Sequence, residues 1–260
     1  MTQIFRKLRT AVTLGTGLIA GIAAGNAHAS VVIAGTRVVF PAQEREVTVK
    51  LTNNGQMPAL VQVWLDNGDA NSSPDKVEVP FTLTPALFRL DPNKGQMLRL
   101  IYTKGPLAQD KETLFWLNAL EIPPKPTAQQ ASDARANSLQ LAFRSRIKVL
   151  FRPQGLPGTA DESPAKLSWV VVPDAKGNGY ALKATNPTPY VVNLGQVTLK
   201  AGGKSLDAGA GFVRPGESQL FPVMDLSTQP GADAEVDYTS INDFGGGVDG
   251  KQPLGAQPGK

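Results

Sequence analysis

The sequence predicts an all-β protein. Apolar residues recur at every second position over most of the chain, the runs that carry them are broken by clusters of Gly, Pro and Asn, and no segment beyond residue 29 reads as an amphipathic helix. Alternation of this kind places one face of each strand against a core and the other in solvent. With 21 prolines and 26 glycines among 260 residues, turns are frequent, which suits antiparallel sandwiches.

The N-terminus stands apart. Residues 1–29 carry Arg6, Lys7 and Arg9, then an apolar run over 11–24, then Ala27-His28-Ala29. A basic start, an apolar middle and a small-residue exit define a secretory signal with cleavage after Ala29. The run is interrupted by Gly and Thr and falls short of the roughly 20 residues that a membrane anchor needs. The remaining chain then starts at Ser30 and is exported, with the periplasm as the expected location. Cleavage takes the only histidine and three of the 26 basic residues, leaving 23 basic against 22 acidic. Such a balance gives no global pull toward nucleic acid or anionic lipid.

The strands follow in order. Residues 31–40 (VVIAGTRVVF), 46–53 (EVTVKLTN), 60–66 (LVQVWLD), 96–103 (QMLRLIYT), 113–122 (TLFWLNALEI) and 138–151 (SLQLAFRSRIKVLF) alternate. Asn53-Asn54-Gly55 and residues 91–95 (DPNKG) have turn chemistry. Residues 152–164 (RPQGLPGTADESP) are poor in apolar side chains and read as an inter-domain elbow. Beyond it, shorter runs over 167–172, 180–185, 190–200 and 236–241 predict a second sandwich, and the Gly-, Pro- and Gln-rich end reads as disordered. The domain expectation is therefore 1–29 signal, 30–152 and 153–246 sandwiches, and 247–260 tail.

The run over 139–151 is ambiguous. Leu139, Leu141, Phe143, Ile147, Val149 and Phe151 share one parity, and Arg144, Arg146, Lys148 and Arg152 share the other. One reading is a half-buried strand with a solvated basic stripe that deters edge aggregation; the other is a strand that offers its apolar side chains to another protein. Alternation alone favours the first.

Composition excludes several chemistries. Without Cys, and without His once the signal is removed, the chain has no Cys/His nucleophile, no Ser-His-Asp triad, no thiolate or imidazole metal site and no disulfide. No compact carboxylate pair or Ser/Lys dyad suggests an enzyme. Neither a metal nor a cofactor is expected.

Nine segments together resemble the PapD-like periplasmic pilus chaperones. They are 35–40 (GTRVVF), 49–53 (VKLTN), 58–64 (PALVQVW), 84–85 with 88–92 (TP, FRLDP), 112–118 (ETLFWLN), 121–124 (EIPP), 146–153 (RIKVLFRP), 186–190 (NPTPY) and 241–246 (INDFGG). The resemblance implies two immunoglobulin-like β-sandwich domains at an angle with a cleft between them. It implies a non-enzymatic chaperone that binds pilus or fimbrial subunits by donor-strand complementation and delivers them to an outer-membrane usher.

It also implies residue roles. Arg37 and Lys148 match the pair that holds the subunit's terminal carboxylate, a task suited to a guanidinium fork and an ammonium. Leu139, Leu141 and Phe143 match the donor strand. Glu112, Arg152 and Asp243 match a charged cluster between the domains. Leu60, Gln62, Thr84, Pro85 and Arg99 match positions that face the usher. The segment 125–138 is polar and Ala-rich, which reads as a flexible insertion in a short-loop member, and the end lacks the strand that relatives carry there. Rival readings are an Ig-like structural or adhesive surface protein and, for Arg144, Arg146, Lys148 and Arg152, a nucleic-acid binder, which export and near-neutral charge oppose. A free chaperone that caps its own donor strand by dimerising stays open.

Overall fold

The computed structural model describes residues 30–122, 141–174, 179–231 and 233–255. The first half contains β1 (Val31–Ile33), β2 (Arg37–Pro41), β3 (Glu46–Asn53), β4 (Ala59–Asp66), β5 (Phe81–Thr84), β6 (Leu87–Leu90), β7 (Gly95–Tyr102), β8 (Thr113–Ile122) and β9 (Phe143–Arg152). The second contains β10 (Ser168–Pro173), β11 (Tyr180–Thr185), β12 (Val192–Ala201), β13 (Lys204–Val213), β14 (Ser218–Pro222), β15 (Glu235–Ile241) and β16 (Gly247–Pro253). Among the described residues, the only helical element is a 3-10 turn at Pro164–Lys166.

Four sheets form two immunoglobulin-like sandwiches. In the first, sheet β1-β3-β7-β5 faces sheet β2-β9-β8-β4-β6; in the second, β10-β11-β14 faces β13-β12-β15-β16. The segment over 31–40 is two strands rather than one. It leaves one sheet at Ile33 and enters the other at Arg37, and the crossing needs Gly35 at φ +94°, a conformation that side chains with a Cβ resist. Without disulfides, each half rests on packing. Phe40, Phe81, Tyr102, Phe115 and Phe151 interlock in the first core, with ring centroids from 4.8 Å (Tyr102–Phe151) to 6.3 Å (Phe40–Tyr102). Trp169, Phe221 and Tyr238 do the same in the second.

The C-terminal end corrects an expectation. Residues 247–253 form β16, which pairs with β15 from Ile241↔Gly247 to Glu235↔Pro253. Leu254 packs on the second core, and the Gly255 amide donates to the Trp169 carbonyl over 2.8 Å. The strand escaped notice because it is an edge held by its backbone. Its side chains contribute only surface ties, such as Thr239 Oγ1 with Asp249 at 2.7 Å, and Gly250 is glycine because a Cβ there would strike the Tyr238 ring. β13 and β14 also lie outside the predicted runs: β13 reads KSLDAGAGFV, where small residues hide the alternation.

A third apolar cluster joins the halves. Leu114, Leu150 and Val191 are buried together, with Val39, Trp116 and Phe212 packed against them. Beside it lies an ionic knot. Arg152, the last residue of β9, sends Nε to the Glu112 carboxylate at 2.5 Å and both terminal nitrogens to Asp243 at 2.7 and 2.9 Å. The second Glu112 oxygen accepts the Val191 amide at 2.7 Å, and the Glu112 amide donates to the Pro189 carbonyl at 2.8 Å. Burial pushes the Glu112 carboxyl up, and Arg152 and the Val191 amide pull it back. Burial disfavours the Arg152 charge, yet Asp243 and Glu112 hold the guanidinium more firmly protonated than in water. Glu112→Ala would strand both the guanidinium and the Val191 amide. It should cost about 3 kcal/mol in urea unfolding, the scale for breaking a buried pair from one side; a loss within measurement error would show that water replaces the carboxylate.

Candidate functional site: an open strand edge ending in two cations

β9 is both a core strand and an edge. On one side it pairs with β8 along its whole length, from Thr113↔Phe151 to Glu121↔Phe143. On the other it has β2, in parallel, over only Lys148–Arg152, from Arg37↔Lys148 to Pro41↔Arg152. Among the described residues, Phe143–Ile147 have no neighbour on that side, so this stretch presents unpaired backbone groups.

The two faces of β9 change character along it. Phe151 and Val149 are fully buried in the first core and Ile147 packs on its border; Phe143 is half-buried and Leu141 is 49% exposed. One face thus runs from core to solvent: the half-buried-strand reading describes the Val149–Phe151 end, and the Leu141 end is exposed. Leu139 lies outside the described residues, as do the insertion 125–138 and the signal segment.

The opposite face carries the basic stripe, which is not simply solvated. Arg144 lies over the Trp64 ring at 4.8 Å, and Arg146 over Trp116 at 4.3 Å. Both arginines pair with Asp66, whose side chain is wholly buried at the end of β4, Arg144 at 3.6 Å and Arg146 in direct contact. Burial opposes the Asp66 charge, but hydrogen bonds from Arg146, Asn118 and the Gly68 amide keep its pKa below the ordinary range. The alternating sequence marked the arginines; the tryptophans and Asp66 that immobilise them come from strands distant in sequence.

Arg37 and Lys148 sit where the open edge stops. Arg37 donates Nη1 to the Ile241 carbonyl at 3.0 Å, and Lys148 donates Nζ to Asn193 Oδ1 at 2.6 Å, both acceptors belonging to the second sandwich. Lys148 also lies 4.4 Å over the Phe212 ring and 5.5 Å over Trp116. Gly195 lies close by: a Cβ there would come within 2.7 Å of the Ile241 side chain. Burial, then the neighbouring Arg37 charge, pulls Lys148 down to about 8, and burial lowers Arg37 although Asp243 opposes it. Arg37 Nε is buried without a partner. Two partly desolvated cations with donors to spare therefore lie side by side. A cavity of about 220 Å³ lies on the second-sandwich side of their acceptors, its wall including Asn193, Ile241 and Asp243 but neither cation. Asn193, Phe212 and the Ile241 carbonyl carried no sequence signal, because their role depends on how the sandwiches meet.

The remaining predicted positions gather elsewhere. Register sets Thr84 opposite Arg99 and Gln62 opposite Leu87, with Pro85 in the link between β5 and β6. Leu60, Thr84 and Arg99 are exposed, Gln62 and Pro85 half-buried, and the Arg99 guanidinium grips Glu46. In its sheet β6 is the edge opposite β2, so this strip lies across the first sandwich from the cations. Among the described residues no group of acidic side chains could hold a metal, and no helix is long and apolar enough to cross a membrane.

Known proteins share this architecture. Residues 30–157 match the family described as pili and flagellar-assembly chaperone, PapD N-terminal domain, and residues 162–252 match the pili assembly chaperone PapD, C-terminal domain. The chain is 41% identical to a probable fimbrial chaperone, YadV, of Escherichia coli K12, covering 87% of this chain and 90% of the relative. It is 40% identical to the chaperone protein FimB/FhaD of Bordetella pertussis, covering 95% and 96%. Among solved structures, the Pseudomonas aeruginosa CupB2 chaperone matches with a TM-score of 0.70 and 38% identity over 86% of this chain and all of the other. The Salmonella enterica SafB chaperone in complex with the SafA pilin gives 0.70 and 29% over 88% and 99%. With both domain models matched in order across the described sandwiches, the chain belongs to the PapD family of pilus-assembly chaperones.

Proposed function

We propose that this protein is a periplasmic chaperone that captures a pilus or fimbrial subunit along the open edge of β9, anchors the subunit's C-terminal carboxylate on Arg37 and Lys148, and passes it to an outer-membrane usher. The observation that carries this reading is the coincidence of an unpaired strand edge with two underpartnered cations at its end. A carboxylate accepts hydrogen bonds from both groups and relieves their repulsion. Membership of the family and the solved chaperone–pilin complex of a relative support it.

Capture of this kind sets the direction of the guest. A strand whose C-terminus lies at Lys148 and whose body follows β9 back toward Phe143 runs parallel to β9, on the track that β2 takes up from Arg37 onward. Its backbone gains ladder bonds, and the apolar face that emerges from the core at Ile147, Phe143 and Leu141 fills the guest's groove. Each such side chain contributes about 1.5–3 kcal/mol before ordering costs, enough to hold a subunit without nucleotide hydrolysis. Leu139 extends the same parity. The Glu112–Arg152–Asp243 knot keeps the two halves of the carboxylate seat together, since the acceptors of Arg37 and Lys148 belong to the other sandwich. Leu60, Gln62, Thr84, Pro85 and Arg99 form the usher-facing strip, on the edge away from the guest. In the absence of a subunit, a second copy of the chain is a natural cap for the open edge.

Two outcomes test this reading. Leu141→Glu should reduce capture of a subunit-derived C-terminal peptide at least about tenfold, with an unchanged melting curve, because the residue is exposed in the free chain; unfolding of the variant, or wild-type capture, would remove β9 from the interface. The second outcome is set by pH. With a folded value of about 8 and an unfolded value near 10.4, Lys148 is protonated in both states below pH 8. Between roughly 8 and 10.4 the folded chain releases the proton first, so the free protein gains stability as pH rises. The bound carboxylate requires the ammonium, so peptide affinity should be flat below pH 8 and fall by up to about tenfold per unit above it. Lys148→Met should weaken binding and abolish that slope; a slope that persists in the variant would assign it to another group.

A further inference from the structure

The start of β1 is held in an unusual way. One oxygen of the Glu121 carboxylate accepts the backbone amides of Ser30 and Val31, each at 3.0 Å, and the other accepts the Ser30 hydroxyl. The Ser30 carbonyl is fixed by the Asn54 amide at 2.7 Å. Gly55 leaves the space that Ser30 fills, for a Cβ on Gly55 would lie 2.5 Å from the Ser30 Cβ. Glu121 extends from the end of β8 and reaches across the rim of the first sandwich to the other sheet. This half-buried carboxylate has no lysine or arginine ion-pair partner among the described residues.

We propose that Glu121 is a receptor for the free α-ammonium of Ser30, created when the signal peptide is removed. The proposal rests on cleavage after Ala29. Hydrolysis of the Ala29–Ser30 bond by water leaves a carboxylate on Ala29 and an amine on Ser30, which takes up a proton. An internal Ser30 nitrogen has one hydrogen and no charge; the terminal nitrogen has three hydrogens and a positive charge, 3.0 Å from a carboxylate oxygen that lacks a cation. Processing thus converts an amide–carboxylate hydrogen bond into an ammonium–carboxylate ion pair and pins β1 to the sheet that contains the open edge. The site lies beside that edge, because Glu121 is the register partner of Phe143.

The test uses the periplasmic protein and two variants of its start, one with a single Gly before Ser30 and one acetylated on the Ser30 nitrogen, each in wild-type and Glu121→Gln backgrounds. Intact mass comes first: a first residue other than Ser30 overturns the proposal at the cleavage step. In the wild-type background, extension or acetylation should raise the urea-extrapolated unfolding constant about tenfold and speed hydrogen exchange of the Val31–Ile33 amides, as expected for the loss of a half-buried ion pair. In Glu121→Gln, the same changes should alter the unfolding constant less than about twofold. Equal effects in both backgrounds, or none in either, would overturn the proposal and leave Glu121 as an acceptor of backbone amides only.

Discussion

Parallel pairing of β2 with β9 stops at Arg37 and Lys148, and the rest of the functional surface depends on that stop. Had β2 continued, β9 would be an interior strand along its whole length. Gly35 enforces the stop: at φ +94° it turns the chain out of the second sheet and hands residues 31–33 to the first. The same turn leaves an edge open at one end of β9 and sets a guanidinium at the boundary. Edges of this kind are usually blunted, because they invite aggregation. Here the blunting is one-sided. Arg144 and Arg146 are held on the far face by Trp64, Trp116 and Asp66, while the backbone and the Phe143 face are left available.

Electrostatics at the joint divides two cations of one strand. Arg152 has all its charge answered, by Glu112 and Asp243, and stays protonated despite burial. Lys148, four residues earlier on the same strand, has only an amide oxygen and two aromatic rings, and its proton is correspondingly loose. One cation fixes how the sandwiches meet. The other is left underpaired by that meeting, at a cost in stability that an anion can recover.

Much of this was legible in the residues. Period-two alternation located β3, β4, β7, β8 and the buried end of β9, because each buries one face and each is long. It failed where a strand is specified by pairing rather than burial. β16 is nearly all exposed and glycine-containing, and β13 consists largely of small residues. Arg37 and Lys148 stood out through resemblance; the residues that tune them did not. Asn193, Phe212 and the Ile241 carbonyl act across an interface that no local pattern encodes; Asp66 acts within its own sheet, on arginines two strands away, and its alternating neighbours all read as ordinary strand.

The collinearity of β2 with the open track has one more consequence. The first residue of β2 acts as an end-stop, so a strand laid along β9 cannot slide past Lys148. In the complex proposed above, a segment drawn from the middle of a polypeptide would have to continue through Arg37 and would bring no carboxylate, so the groove would discriminate by chain end before reading any side chain. A guest seated in this way would be indexed from its last residue backward, and a one-residue deletion near that end would invert which of its side chains face the core of the complex. In the proposed complex the pair of cations is thus the zero of a molecular ruler, and β9 carries its graduations.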